Sequence, residues 1–275
     1  MANVLFTATL PAIVVGIFLV LVFVVAAVRK NNGFMDVAWG ICFILIALVS
    51  YATFVPRGND ILSVNEGRLA LVTILVLIWG IRLATRIYLK NRGKPEDFRY
   101  AKWRAEWGRM FLVRSFFQVY LLQGFLSLVV ALPIVLIAAN PSAGLGVLEY
   151  IALCLWLVGF LFEVVGDYQL DQFIRKPENK GKIMRYGLWR YTRHPNYFGE
   201  SLMWWGLALI AYSAPLGVLA FISPLVITFL LLKVSGVPML EKKFAGNPEW
   251  EEYKSRTNVF IPGPVKKERY DISYR

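Results

Sequence analysis

The residues best suited to chemistry lie in one short stretch, residues 187–200, which reads GLWRYTRHPNYFGE and is termed the signature segment. It contains the only histidine of the chain, His194, between the guanidinium of Arg193 and the carboxamide of Asn196. Pro195 disfavours helix at the residue before it and favours a helix start, so a helix is predicted to begin there. Because the first amides of a helix are free to bind an anion, this pattern indicates a site for a charged ligand.

The signature segment can also be interpreted as a topogenic loop, in which basic residues hold the cytoplasmic side and Tyr197 anchors at the interface. Two polar side chains argue against that interpretation. Asn196 and Glu200 would lie past the membrane interface, where a polar group is costly unless it has a partner or a function. We therefore favour a ligand-binding role that includes Asn196, Tyr197 and Glu200.

Composition assigns the chain to the membrane proteins. Of its 275 residues 57% are hydrophobic, and the mean hydropathy of +0.55 is too apolar for a soluble domain. The net charge of +12 fits the positive-inside rule and anionic lipid, so membrane lipids are predicted as partners and nucleic acid is not. A single histidine predicts no metal cluster, and motifs such as GxGxxG and Walker A are missing, which leaves the chemistry to a bound cofactor.

Seven segments are long and apolar enough to cross a bilayer, which requires roughly 20 apolar residues per helix. They are 4–28, 34–55, 67–90, 112–138, 146–168, 197–213 and 215–235, the last two joined by a hairpin. The predicted fold class is therefore all-α integral membrane, with seven transmembrane helices and cytoplasmic loops that cap a cofactor pocket. We expect a single domain over residues 1–275, with a loose basic tail at about 264–275.

The basic residues predict the orientation of these helices. The loops after the first, third and fifth helices and the C-terminal tail carry 24 lysines and arginines, against only Arg57 and Arg68 on the other side. The positive-inside rule then places the N-terminus outside and the C-terminus in the cytoplasm.

Charged residues inside the predicted helices mark further candidate sites. Asp36 lies near the start of the second helix, where it could cap the helix or serve as a protonated acid in a partly apolar pocket. Asp167 lies near the end of the fifth helix, on the same face as Glu163. Asp167 could bind a ligand or instead pair with Arg82 or Arg86 of the third helix.

The signature segment resembles a motif of known membrane enzymes. Its R-H-x-N-Y-x-G-E pattern at 193–200 is similar to the C-terminal signature of sterol reductases and of the bacterial, DUF1295 branch of steroid 5-alpha-reductase-like proteins. N-R-G-K at 91–94 resembles the N-R-G-R of steroid 5-alpha-reductases, and the D-Y…R-K-P spacing at 167–177 matches within one inserted residue. The resemblance covers roughly residues 80–262.

The resemblance implies which residues bind the cofactor, NADPH. They are Asn91, Lys94, Asp167, Arg175, Lys182, Arg193, His194, Asn196, Tyr197 and Glu200. The basic residues of the cytoplasmic loops favour NADPH over NADH, because NADPH carries an additional phosphate.

The substrate-binding residues depart from the family pattern. In steroid 5-alpha-reductases a membrane glutamate and a tyrosine hold the substrate ketone. Here only Asp36 could be the acid, and the place of the tyrosine falls at Gly80, beside Trp79. We expect Asp36, Trp79 and Glu200 as catalytic residues.

The activity that the resemblance implies is reduction of a conjugated C=C bond in a flat lipid enone, such as a 3-oxo-4-ene steroid. Hydride is delivered to the β-carbon, and a hydrogen-bond donor such as protonated Asp36 stabilises the charge that develops on the carbonyl oxygen. We expect a monomer, and the bacterial resemblance favours a bacterial inner membrane over the endoplasmic reticulum.

Two alternatives belong to other functional classes. Isoprenylcysteine carboxyl methyltransferases, which use S-adenosylmethionine, carry a looser R-H-P-x-Y-x-G motif and share the Glu241…Tyr253 pattern of the tail. The seven predicted helices, against about five in that family, and the N-R-G-K stretch argue against a methyltransferase. A non-enzymatic sterol-binding protein or transporter is the third possibility, and it would need no buried cofactor contacts.

Overall fold

The computed structural model describes residues 2–54, 67–140, 145–242 and 244–266, and within these ranges the chain is helical, without β-strands. The α-helices are α1 (Ala2–Arg29), α2 (Phe34–Phe54), α3 (Gly67–Asn91), α4 (Phe98–Trp107), α5 (Phe111–Ser115), α6 (Leu122–Val130), α7 (Leu132–Ala139), α8 (Val147–Arg175), α9 (Pro195–Tyr212), α10 (Ile222–Phe229), α11 (Val237–Lys242) and α12 (Pro248–Arg256). Two π-helical segments, Phe116–Leu121 and Leu230–Val234, lie next to α6 and α10. Arg57 and the predicted tail beyond residue 266 lie outside the described residues.

Six helical segments in the described part of the chain are long and apolar enough to cross a membrane. They are Val4–Arg29, Phe34–Phe54, Gly67–Asn91, Phe98–Val130, Val147–Arg175 and Gly217–Lys242. The chain is therefore a multi-pass integral membrane protein, as its composition predicts.

The remaining predicted span, 197–213, is present as helix α9 and begins at Pro195 as expected. It is not among the six, because Asn196 and Glu200 place polar groups in its first turns. A seventh membrane crossing stays a prediction.

The predicted bounds of the fourth span, 112–138, are wrong. Its helical segment begins at Phe98, where the Asp97 carboxylate caps α4 by accepting from the Arg99 amide at 3.0 Å. It ends at Val130, since Ala131 leaves helical geometry with a ψ of 4° and the separate helix α7, which has Pro133 in its first turn, begins at Leu132. Part of the loop predicted between the third and fourth spans is thus helix.

The chain forms two compact units. The first comprises Met1–Tyr150 and Leu207–Ser223, and the second comprises Ile151–Gly206 and Pro224–Arg275. The assignment of residues 1–275 to a single domain stays a prediction.

In the first unit, helices α2 and α3 cross at a pair of glycines. A Cβ atom on Gly40 would lie 3.0 Å from the Gly80 carbonyl oxygen, and one on Gly80 would lie 2.8 Å from Cγ1 of Ile44. This close approach leaves no room for a side chain at Gly80 without a shift of α2 or α3. Small residues at such crossings are typical of membrane helices.

In the second unit, glycines spaced seven residues apart bring α8 and α9 together. A Cβ atom on Gly159 would lie 2.7 Å from the Gly199 carbonyl oxygen, and one on Gly206 would lie 2.9 Å from the Ala152 carbonyl oxygen. Near the start of α9, a Cβ atom on Gly166 would lie 3.1 Å from Cγ of Pro195. The glycine contacts therefore place the signature segment against the last turns of α8.

Candidate functional site

The first turn of α9 meets α8 through a hydrogen bond between two predicted site residues. Asn196 donates from Nδ2 to Oδ1 of Asp167 at 3.2 Å, and Asp167 is 4% exposed. This bond orients the amide so that its carbonyl oxygen points away from Asp167. Oδ1 of Asn196 is buried and has no hydrogen-bond partner among the described residues. It is an acceptor that a ligand could satisfy.

His194 sits immediately before α9 and is 3% exposed. Its ring stacks on Tyr197, with ring centroids 5.4 Å apart and an interplanar angle of 9°. Nε2 lies 3.2 Å from Oε1 of Glu241. Nδ1 is buried and lacks a hydrogen-bond partner in the described part of the chain. The start of α9 thus contains a second buried polar atom without a hydrogen-bond partner among the described residues.

Arg193 is buried and bound to groups of the chain itself. Its Nε donates to Oε1 of Glu241 at 2.9 Å, and its NH1 donates to the carbonyl oxygens of Lys254 at 2.9 Å and Thr257 at 3.1 Å. These contacts anchor the segment that follows α11 to the signature segment. A direct contact of Arg193 with a cofactor phosphate stays a prediction.

Residues 248–263, termed the C-terminal segment, are held along the signature segment by backbone and side-chain hydrogen bonds. The Thr192 hydroxyl donates to the Phe260 carbonyl oxygen at 2.7 Å, and the Arg193 amide donates to the Asn258 carbonyl oxygen at 2.9 Å. The hydroxyl of Tyr253 donates to the carbonyl oxygen of Trp189. Tyr253 is buried, and that burial raises its pKa above the ordinary tyrosine value.

Further predicted cofactor residues of the second unit differ in exposure. Glu200 is 9% exposed in the second turn of α9. Arg175, at the end of α8, and Lys182 both have exposed side chains. The exposed pair is free to approach a phosphate, whereas Glu200 belongs to the buried part of the site.

In the first unit, Asn91 and Lys94 line a cavity of about 470 Å³. They form a turn in which the Lys94 amide donates to the Asn91 carbonyl oxygen at 3.0 Å, and Gly93 adopts a φ of +73°. Lys90, Arg92 and the carboxylate Asp97 also line the cavity, so the charged side chains of its walls are positive on balance. The expectation that Asn91 and Lys94 share a pocket with Asn196 stays a prediction.

Asp36, in the first unit, is contacted by two donor side chains. The Tyr100 hydroxyl donates to its Oδ1 at 2.7 Å, and Arg99 forms an ion pair with its Oδ2 at 3.0 Å. Both contacts place hydrogen-bond donors against the carboxyl oxygens of Asp36. The predicted role of Asp36 as a protonated acid stays a prediction, as does the alternative that it caps the helix.

Trp79, the other predicted catalytic residue of the first unit, packs in the core. It is 3% exposed, and its ring lies edge-to-face on Phe43 with centroids 5.4 Å apart. The Tyr100 hydroxyl, a donor beside Asp36, is not among the predicted site residues, because Tyr100 falls in a predicted loop. Glu241 was seen only as part of the tail pattern, although it contacts both Arg193 and His194.

Comparison with known families decides where the chain belongs. The family described as "Protein of unknown function (DUF1295)" matches residues 22–257, which is most of the chain. The chain belongs to this family. The curated relatives of this chain include steroid 5-alpha-reductases, so the resemblance carried by the signature segment is confirmed.

The relatives match over part of their length. The 3-oxo-5-alpha-steroid 4-dehydrogenase 1 of Mus musculus is 35% identical over 109 residues, 39% of this chain and 39% of the relative. The Homo sapiens protein of that name is 43% identical over 68 residues, 24% of this chain and 26% of the relative. An uncharacterised protein of Schizosaccharomyces pombe is 28% identical over 202 residues, 64% of this chain and 56% of the relative. No solved structure matches the chain significantly.

Proposed function

We propose that this protein is a membrane reductase that uses NADPH to reduce the conjugated C=C bond of a lipid enone, such as a 3-oxo-4-ene steroid. One observation carries the proposal: the Asp167–Asn196 hydrogen bond joins two residues that the resemblance assigns to the cofactor, and it leaves the Asn196 carbonyl oxygen buried without a partner among the described residues. The curated relatives named 3-oxo-5-alpha-steroid 4-dehydrogenase support the reaction class.

The residues of the second unit fit NADPH by their chemistry. Buried acceptors at Asn196 and His194 suit the amide and hydroxyl donors of a nicotinamide nucleotide. The exposed cations Arg175 and Lys182 suit its phosphates. Glu200, near the positive end of α9, is the proposed catalytic carboxylate of this group. When bound, NADPH supplies the hydride for the β-carbon of the enone.

The residues of the first unit are proposed to serve the substrate and the cofactor phosphates. Asp36, whose Oδ1 accepts from the Tyr100 hydroxyl at 2.7 Å, is the proposed acid that stabilises the charge on the substrate carbonyl oxygen. Trp79 offers an apolar ring suited to a flat lipid. Asn91 and Lys94 bind the cofactor from the wall of their cavity.

We further propose that the protein is a monomer with seven crossings and a cytoplasmic C-terminus, in a bacterial inner membrane. The seventh crossing would be α9, whose glycine contacts with α8 are those of a packed membrane helix. The positive-inside distribution supports the orientation.

One observation favours the methyltransferase alternative. Glu241 and Tyr253, the tail residues shared with isoprenylcysteine carboxyl methyltransferases, both contact the signature segment. In that case the same buried acceptors would accept hydrogen bonds from the amino group or the ribose hydroxyls of S-adenosylmethionine.

Thermal unfolding of the detergent-purified protein distinguishes these functions, since a ligand that binds the folded state raises the unfolding temperature. We expect NADPH to stabilise the protein and S-adenosylmethionine to have no effect. Addition of a 3-oxo-4-ene steroid should then oxidise NADPH and yield the saturated ketone, identified by mass. Stabilisation by S-adenosylmethionine alone would replace the reductase proposal with the methyltransferase, and stabilisation by neither would favour a non-enzymatic role.

A further inference from the structure

Glu241 uses one carboxylate oxygen for two neighbouring side chains. Its Oε1 accepts from Nε of Arg193 at 2.9 Å and lies 3.2 Å from Nε2 of His194. Arg193 has a side chain that is 9% exposed, and that of His194 is 4% exposed, so both contacts are shielded from water. Glu241 belongs to α11, far along the chain from the signature segment.

This arrangement decides which nitrogen of His194 carries the proton. A carboxylate oxygen only accepts hydrogen bonds, so Nε2 must be the protonated nitrogen. Arg193 already supplies the positive charge that balances Glu241. A second buried cation at His194 would have no counter-charge within this trio, which favours the neutral imidazole. Nδ1 then carries a lone pair.

The orientation of the ring makes that lone pair available to a ligand. The ring is held on one side by Glu241 and on its face by Tyr197. Nδ1 is buried and unpartnered among the described residues, as is Oδ1 of Asn196 two residues later. Both are acceptors, and a buried acceptor without a donor is costly.

We propose that Glu241 is a positioning residue that holds His194 in the Nε2-protonated tautomer, so that Nδ1 accepts a hydrogen bond from a bound ligand. The ligand group is one that carries N–H or O–H donors, such as a primary carboxamide or a ribose diol. The role of Glu241 does not depend on the proposed function. Only the assignment of the donor to NADPH rests on it.

Because the chain has a single histidine, nitrogen NMR reads this tautomer directly. The full-length protein labelled with ¹⁵N only at histidine gives the two ring nitrogens of His194, and their couplings to the ring protons distinguish Nδ1 from Nε2. We expect one protonated nitrogen, Nε2, and one unprotonated nitrogen, Nδ1. A wild-type spectrum of the opposite tautomer, or of imidazolium at neutral pH, overturns the proposal without any variant.

Variants test the part played by Glu241. Glu241→Leu removes the acceptor, so the spectrum should become that of a tautomer mixture. Glu241→Gln keeps an oxygen in place and should restore the Nε2-protonated form. Glu251→Leu is the matched control, because Glu251 is about half exposed and pairs with Lys254 on α12. An unchanged tautomer in folded Glu241→Leu contradicts the proposal, and if that variant does not fold, the wild-type spectrum decides.

NADPH added to the labelled wild-type protein tests the ligand. We expect the Nδ1 signal to shift towards that of a hydrogen-bonded acceptor, and Glu241→Leu to bind NADPH about tenfold more weakly. If NADPH binds and Nδ1 does not respond, the acceptor role is wrong. If NADPH does not bind at all, the proposed function fails, while the ligand-free spectra still decide the role of Glu241.

Discussion

The Asn196 side chain donates a hydrogen bond to Asp167 at 3.2 Å, although 29 residues separate them in the chain. A buried carboxylate thereby fixes the orientation of an amide whose oxygen has no partner within the described residues. The amide is ready to accept from a ligand without rearranging, which lowers the entropic cost of binding.

Loss of this orientation should weaken cofactor binding. In Asp167→Leu the Asn196 amide is no longer held, and we expect NADPH affinity to fall about tenfold. Asp167→Asn retains an acceptor oxygen, so its NADPH affinity should fall less than that of Asp167→Leu. Isothermal titration in detergent measures both, and wild-type affinity in a folded Asp167→Leu protein would contradict the orienting role.

Glu200→Gln should abolish turnover while the protein stays folded. Glu200 lies one turn inside α9 and is 9% exposed, so it belongs to the buried part of the site. If Glu200 only stabilised the helix start, the Gln substitution would lower the free energy of unfolding by about a few tenths of a kcal/mol, and activity would survive. Steroid-dependent oxidation of NADPH is the measurement, with the exposed Glu178→Gln as the control.

Arg175→Ala should reduce NADPH affinity by about 1.5–3 kcal/mol, as expected for the loss of one charge-assisted hydrogen bond. If Arg175 contacts the additional phosphate, NADH affinity should change much less. Arg190→Ala is the matched control, because Arg190 is an exposed arginine of the signature segment. An equal loss with both variants would indicate a general effect of charge.

The raised pKa of Tyr253 predicts a loss of stability at alkaline pH. Burial raises the pKa of Tyr253 in the folded protein, so only the unfolded chain releases this proton near the ordinary tyrosine pKa of about 10. The contribution of Tyr253 is therefore complete below about pH 10 and declines as the pH rises through that value.

Tyr253→Phe tests this dependence. It removes the hydrogen bond to Trp189, so we expect a loss of about 1 kcal/mol at neutral pH and a smaller decline above pH 10. Thermal unfolding across pH gives both quantities. Tyr186→Phe, at an exposed tyrosine, should leave the profile unchanged.

Gly199→Ala should destabilise the protein by about 1–3 kcal/mol, the usual cost of overpacking. The added Cβ atom would lie 2.6 Å from the backbone nitrogen of Glu163, and backbone cannot move aside cheaply. Gly16→Ala is the control, since a Cβ atom on Gly16 meets nothing within 4 Å. Equal unfolding temperatures of the two variants would show that α8 and α9 pack less closely at Gly199 than this distance implies.

Several features follow from the sequence alone because they depend on neighbouring residues. Apolar length identifies the membrane helices, and proline geometry predicts the start of α9 at Pro195. The family was recognisable for the same reason, since its motif is contiguous at 193–200. The bounds of the fourth span were mispredicted because the cap at Asp97 and the break at Ala131 outweigh average hydropathy.

The partners of the site residues were decided only by the tertiary structure. Asp36 could be identified as unusual, but its partners Arg99 and Tyr100 are brought to it by α4. Glu241 lies 47 residues from His194, and no local pattern encodes their contact. Such hydrogen bonds depend on how helices and turns pack, and packing is a property of the whole chain rather than of any one stretch of it.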